Sequence, residues 1–245
     1  MESIPLLKYL VEAGLGARRQ VVAAIKQGRV TVNGKTAEGF TMPVYPDMDV
    51  IACDKRPLKF KQTEMQVFMF NKPADVLSTT RDDRGRKTIV DMLPIEYRSM
   101  GLYPAGRLDY DSKGLLILTN DGNLTYRLTH PKFEHEKEYI ISIDGNLSEG
   151  DIKKLENGIL LEDGMTYPAI IKEIVNQSPY RYSITIHEGR HRQVKRMFAS
   201  LGYDVIALKR IRIGGLELGE LEEGSFKKLS KVEISKLLKR DLRNR

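Results

Sequence analysis

Hydrophobic and polar positions change character near residue 60. Before it, Leu6, Leu7, Leu10 and Val11 recur at helical spacing until Gly14-Leu15-Gly16 interrupts them. A second helix is predicted over residues 17–27, with Val21, Val22 and Ile25 inward and Gly28 as its stop. Arg29-Val30-Thr31-Val32 alternates as a strand, Asn33-Gly34 marks a tight turn, and residues 49–52 supply another strand. Residues 53–65, rich in Lys, Asp, Gln and Thr, read as a linker. Beyond it, residues 66–70 form an apolar strand, and 138–143, 169–175 and 182–186 alternate as further strands. The run Leu115-Leu116-Ile117-Leu118 is too short for a membrane and right for a buried strand. Asn120-Asp121-Gly122 breaks it, with Asp121 placed to cap a helix over 121–128. Helices are also predicted over 148–157 and 191–201. Strands and helices interleave without a regular strand–helix–strand repeat. The reading is therefore α+β: a small N-terminal α/β module over residues 1–60, then a mixed, largely antiparallel-sheet domain over 61–245.

Composition narrows the class. Forty Lys and Arg against 33 Asp and Glu leave a net charge of +7, which suits a polyanionic partner. Cys53 is the single cysteine, so an internal disulfide framework is excluded and a reducing compartment is indicated; it reads as a structural residue at a strand end. No apolar run approaches the ~20 residues that cross a bilayer. Met1-Glu2-Ser3-Ile4-Pro5 lacks a signal-peptide pattern, so a cytoplasmic monomer with no membrane partner is expected.

Two places concentrate the chemistry. Arg18, Arg19, Lys26, Arg29 and Lys35 bracket the second predicted helix and the following hairpin, either as a solvated face or as a phosphate-binding surface. Asp109 and Asp111 lie on a polar loop bounded by Gly106 and Gly114, ahead of the buried run. A carboxylate on such a loop can be aimed at a substrate while staying solvated. His130, His135, His187 and His191 form no recognised metal pattern.

The segment Gly106-Arg107-Leu108-Asp109 resembles the signature of the pseudouridine synthases, in particular the branch that modifies small- and large-subunit ribosomal RNA. The resemblance implies that Asp109 is the catalytic residue. Three other segments match in order, over residues 66–215. Asn71-Lys72-Pro73-Ala74-Asp75 resembles the first motif, with Ala74-Asp75 where a glycine commonly stands. Lys137-Glu138-Tyr139 resembles the segment whose tyrosine lies against the target base. His187-Glu188-Gly189-Arg190-His191-Arg192-Gln193-Val194-Lys195-Arg196 resembles the third motif, whose basic residue, here Lys195, lies beside the catalytic carboxylate. Residues 4–52 resemble the S-four RNA-binding module. The resemblance thus implies Asp109, Tyr139 and Lys195 as catalytic. It implies Arg18, Arg19, Lys26, Arg29, Lys72, Arg107, Arg190, Arg192 and Arg196 as RNA-binding. The loop Asp82-Asp83-Arg84-Gly85-Arg86-Lys87 and the basic segment 225–245, as helix or tail, are further candidates for RNA contact.

The implied reaction cleaves the bond from base nitrogen to ribose, rotates the base and rejoins it at carbon 5. All atoms are kept, so no cofactor and no metal are called for. Asp, with an ordinary pKa of about 3.9, is ionised at neutral pH. Covalent attack by Asp109 and proton abstraction from ribose both remain open. The partner is ribosomal RNA, of the large subunit by closest likeness, naked or in an assembly intermediate. Alternatives are a synthase for 16S RNA, a non-catalytic assembly factor on the same fold, and a glycosidase using Asp109 and Asp111.

Overall fold

Leu6, Leu7 and Leu10 enter the interior from one face of helix α1 (Leu6–Glu12), as their spacing dictates. The computed structural model describes residues 3–60, 64–175 and 177–239. Helix α2 (Arg18–Lys26) adds Val21, Ala24 and Ile25 to the same core. Its first turn is held by Gln20, whose Oε1 accepts from the Ala17 amide at 2.9 Å. Gly28, at φ 68°, ends it in the left-handed conformation. Strands β1 (Val30–Val32), β2 (Lys35–Thr36), β3 (Ile51–Cys53) and β4 (Arg56–Leu58) form an antiparallel sheet in the order β2-β1-β3-β4. Asn33 and Gly34 both have positive φ, as the two-residue turn between β1 and β2 requires. Cys53 is buried as a core residue. The chain divides into two units, Met1–Glu64 and Met65–Arg245. β4 falls where the sequence predicts a linker; its Arg56 and Leu58 pair with Cys53 and Ile51.

Among the described residues, the second unit is built on a nine-stranded sheet, with a separate two-stranded hairpin of Leu160–Leu161 and Gly164–Met165. The strands of the sheet are β5 (Val67–Lys72), β6 (Tyr103–Ala105), β7 (Lys113–Thr119), β8 (Lys137–Ile143), β9 (Ile170–Glu173), β10 (Tyr182–Ile186), β11 (Val205–Ile213), β12 (Leu216–Glu217) and β13 (Phe226–Lys228). The order is β9-β10-β8-β11-β7-β5-β13, with β6 beside β7 and β12 beside β11. Every pairing is antiparallel except β11 with β7. Both faces of the sheet are covered, which is why the central strands read as continuous apolar runs. Phe68, Phe70, Leu116 and Leu118 face one core; Val67, Met69, Leu115 and Ile117 face the other. Helices α3 (Gly122–Thr129) and α6 (Lys231–Leu237) serve the second core; α4 (Glu149–Asn157) and α5 (Gln193–Ala199) serve the first.

Asp121 caps α3, accepting from the amides of Asn123 at 2.8 Å and Leu124 at 3.3 Å. Three elements differ from the sequence expectation. α5 starts at Gln193 rather than 191, because Arg192 sits in the left-handed region at φ 48°. β11 crosses a stretch whose many charges hide its alternation. The basic segment after residue 225 contains β13 and α6, with Leu229 and Leu237 in the core, so its described part is not a tail. Residues 240–245 lie outside the described residues.

Candidate active site

The loop between β6 and β7 carries Asp109, and its main chain is gripped from the first motif. Ser78 Oγ donates to Leu108 O at 2.8 Å and accepts from Leu108 N at 3.1 Å. The Asp75 amide donates to Tyr110 O at 2.9 Å. Lys72, fully buried at 0% exposure, donates its ammonium to the carbonyls of Pro73 (2.8 Å), Tyr110 (3.2 Å) and Ser112 (2.9 Å). Burial lowers the Lys72 pKa to about 8, against the opposing pull of Asp111, Asp75 and Asp109. Asp75 itself has φ 60°. That explains Ala74-Asp75 at a position where glycine is usual: the left-handed region favours glycine, and aspartate is among the residues that tolerate it.

Asp109 is half-buried, and its carboxylate has no hydrogen-bond or ion-pair partner among the described residues. It faces a cavity of about 350 Å³ together with Arg107, Lys137, Tyr139, His187 and Arg210. Tyr139, on β8, is 8% exposed and contributes to the first core. Its hydroxyl lies 3.5 Å from Arg210 Nη1, and the guanidinium sits 5.9 Å from its ring centre. Lys137 donates to His135 O at 3.0 Å, and burial followed by the Arg210 charge holds its pKa at about 8. A carboxylate, a phenol and two cations, one of them buried, around one cavity suit chemistry on a planar, electron-rich ring. No cluster of three or more potential metal ligands occurs among the described residues.

The family profile of the RNA pseudouridylate synthases matches residues 66–200, and that of the S4 domain matches residues 4–39. The chain is 40% identical to ribosomal large subunit pseudouridine synthase B of Bacillus subtilis, over 95% of this chain and 94% of that one. It is 42% identical to ribosomal large subunit pseudouridine synthase E of Vibrio parahaemolyticus, over 67% and 74%. A solved pseudouridylate synthase superposes with a TM-score of 0.67 at 36% identity, covering 96% of this chain and 100% of that one. The chain belongs to the RNA pseudouridylate synthase family.

Within this synthase, several basic residues have other partners than the sequence predicts. Lys195, expected beside Asp109, has its Nζ 2.7 Å from Asp111 Oδ2, and Arg192 reaches the same oxygen at 3.4 Å. Burial pushes the Asp111 carboxyl up, but Lys195 and Arg192 outweigh it and hold it below the ordinary range. Asp111 thus ties the loop to the start of α5 rather than forming an acid–base pair with Asp109. Lys72 is enclosed and cannot meet a phosphate. Arg190 binds Glu188 at 3.0 Å, Asp163 at 3.3 Å, and the carbonyls of Gly164 at 2.8 Å and Met165 at 2.5 Å. Arg196 binds Asp163 through two bonds of 3.0 and 2.8 Å, and the His191 carbonyl at 2.9 Å. Both therefore brace the third motif against residues 160–165, with few donors left for RNA. Arg29 forms a two-bond pair with Asp54 across the ends of β1 and β3. Arg18, Arg19 and Lys26 are exposed on α2 and have no side-chain partner among the described residues; Arg107 is exposed at the cavity. Asp82 closes its own loop by accepting from the Arg84 and Arg86 amides and the Arg86 side chain.

Sequence reading misses Arg210 and Ser78. Arg210 is hidden in the charged run Lys209-Arg210-Ile211-Arg212, and Ser78 lies just beyond the first motif, in a serine–threonine stretch with no distinguishing pattern. The one available signal for Arg210 is an arginine flanked by apolar residues at strand spacing, Leu208-Lys209-Arg210-Ile211-Arg212-Ile213.

Proposed function

We propose that the enzyme converts a uridine of ribosomal RNA, in the large subunit, to pseudouridine. Asp109 serves as the carboxylate that acts on the ribose, and Tyr139 as the partner of the base. The observation that carries this reading is convergence: Asp109 and Tyr139 border one cavity, and the first and third motifs supply its bracing. A uracil taken out of the RNA enters that cavity and stacks on the Tyr139 ring, while the phenol is available for proton transfer at carbon 5. Asp109, without an ion pair, is free to reach either the anomeric carbon or a ribose proton. Arg107 and Arg192, at the cavity rim, and Arg18, Arg19 and Lys26 on α2 contact phosphate. Lys195 acts through Asp111, holding the loop. Full-length relatives named as large-subunit synthases favour that RNA over 16S and over a non-catalytic factor. No described helix is long and apolar enough to cross a membrane, in keeping with a cytoplasmic substrate.

The test joins a map to a mutant. Pseudouridine is mapped in ribosomal RNA from cells with the gene, without it, and carrying Asp109→Asn. One large-subunit position should be modified only by the wild type. The purified mutant should bind RNA within a few fold of wild type and release no tritium from uridine labelled at carbon 5. Turnover by Asp109→Asn would remove the role of Asp109, and a lost site in 16S RNA would redirect the substrate.

A further inference from the structure

Arg210 and Arg212 stand two residues apart on the same central strand, and both are almost fully enclosed, at 3% and 7% exposure. Their electrostatic surroundings are opposite. Arg212 is neutralised by Glu138 at 2.8 Å and Glu136 at 3.1 Å, and donates to Gly214 O at 2.6 Å. Arg210 has no carboxylate partner within hydrogen-bond or ion-pair distance among the described residues. Its Nε donates to Leu115 O at 2.7 Å, and its Nη1 makes two long contacts of 3.5 Å, to Arg107 O and Tyr139 Oη. Nη2 is buried with no acceptor among the described residues. A buried cation without a counter-charge is costly, and a buried donor without an acceptor adds to that cost. Stability does not account for keeping an arginine there when an apolar residue would pack.

The position of this charge supplies an account. Arg210 lines the same cavity as Asp109 and Tyr139, beside a half-buried cation, Lys137, whose pKa its charge helps to lower. We propose that Arg210 is a catalytic residue of the synthase, donating from its unpartnered Nη2 to a carbonyl oxygen of the target uracil as that ring becomes negatively charged. The inference rests on the reading of this cavity as the seat of the flipped base.

The bond chemistry states what the charge is for. When the bond between C1′ and N1 breaks, its electron pair leaves with the base and spreads over N1, O2 and O4. C1′ is made good either by a bond to an Asp109 oxygen or by loss of a neighbouring ribose proton to Asp109. The uracil then turns within the cavity and C5 bonds to C1′ as the Asp109 oxygen leaves C1′ or as Asp109 returns its proton to C2′. The proton on C5 is lost to water, or relayed through the Tyr139 hydroxyl, and N1 takes up a proton. On either route the free base is an anion between the two bond events. A fixed cation in a water-poor site lowers the energy of that species and requires no reorganisation when it forms. Neutral uracil gains much less from the same contact, so the interaction favours the transition state over bound substrate.

The test separates chemistry from folding. Arg210→Met keeps length and removes charge and donors; Arg210→Lys keeps charge and loses the fork. Binding and single-turnover rate are measured on the target RNA with the full-length chain, together with melting temperature. Arg210→Met should melt no lower than wild type and bind RNA within a few fold, yet cleave and rejoin at least about a hundredfold more slowly, the loss typical of a missing oxyanion donor. Arg210→Lys should fall between the two. A wild-type rate in folded Arg210→Met, or a loss of rate matched by loss of RNA affinity, would overturn the proposal. Should Arg210→Met fail to fold, the wild-type enzyme decides with barbiturate, a uracil-shaped ring that is an anion at neutral pH. It should inhibit at concentrations where neutral uracil does not, and equal inhibition by the two would overturn the assignment. Failure of wild type to modify ribosomal RNA would instead overturn the proposed function, and is measured first.

Discussion

A single buried ammonium, Lys72, sets the geometry of the loop that holds Asp109. Three N–H groups meet three carbonyls, two of them within three residues of Asp109. Three acceptors hold the ammonium in place, but they replace bulk water only in part, and burial still disfavours its charge. Its pKa is lowered to about 8 from an ordinary 10.5, chiefly by burial. For a base whose folded pKa is depressed, the folded state binds fewer protons than the unfolded chain between those two values. Stability contributed by this group therefore rises with pH over that window and is absent below about 8. We predict that the stability difference between wild type and Lys72→Met grows in favour of wild type as pH goes from about 8 to above 10. Turnover should move oppositely, declining in wild type above about pH 8 as the loop loses one anchor. Urea melts across pH for both proteins check the first; a flat difference would show that Lys72 stays charged throughout. The neighbouring Asp75 shows how a departure from a family pattern can leave backbone geometry intact: its φ of 60° is what a glycine there would adopt.

At the scale of elements, the site depends on the pairing of β7 with β11, the parallel contact in an otherwise antiparallel sheet. Gly114 lies opposite Arg210 in that register. Gly114 has φ 103°, and a Cβ on it would fall within the main chain of Arg210. The glycine thus serves the close approach that carries Arg210 to the cavity wall. Gly114→Ala should cost about 2–5 kcal/mol, adding left-handed strain to overpacking against an immovable backbone. Gly34→Ala, with φ 79° and open space around the new methyl, should cost only about 1–2 kcal/mol from strain alone. Melting both variants and assaying turnover compares them; equal losses would mean that strand contact at Gly114 is not tight. The same element explains what sequence made legible. β5 and β7 announce themselves because both faces are buried and Val67–Phe70 and Leu115–Leu118 are apolar throughout. Asp121, at the end of β7, is a cap that composition and position expose at once. β11 is just as central, yet Lys209, Arg210 and Arg212 interrupt it, and reading charge as surface hides a strand. Asp109 and Tyr139 are recognisable from their motif segments, whereas which carboxylate Lys195 meets depends on loop curvature that no local pattern encodes.

Across the whole molecule, the net charge of +7 overstates how much positive surface is available to RNA. Lys72, Arg210 and Arg212 are buried, Asp163 holds Arg190 and Arg196, and Asp54 holds Arg29. Arg18, Arg19 and Lys26 differ from these in being exposed on one helix without an acidic partner among the described residues. Phosphate binding by such residues releases condensed counterions, and each contact to single-stranded RNA contributes ~0.7 to the slope of log affinity against log salt. Replacing all three with Gln in the full-length chain should therefore lower that slope by about 2. Single-turnover rate at saturating RNA should be unchanged, because none of the three lines the cavity. Arg29→Gln is the contrasting variant: its guanidinium already meets Asp54, so the slope should hardly move, and freeing Asp54 would weaken RNA binding only by repulsion. Titrating fluorescently labelled RNA at several salt concentrations with wild type and both variants gives the comparison. An unchanged slope in the triple variant would make α2 a solvated face and move RNA recognition to the second unit, where Arg107 and Arg192 are the next residues to test.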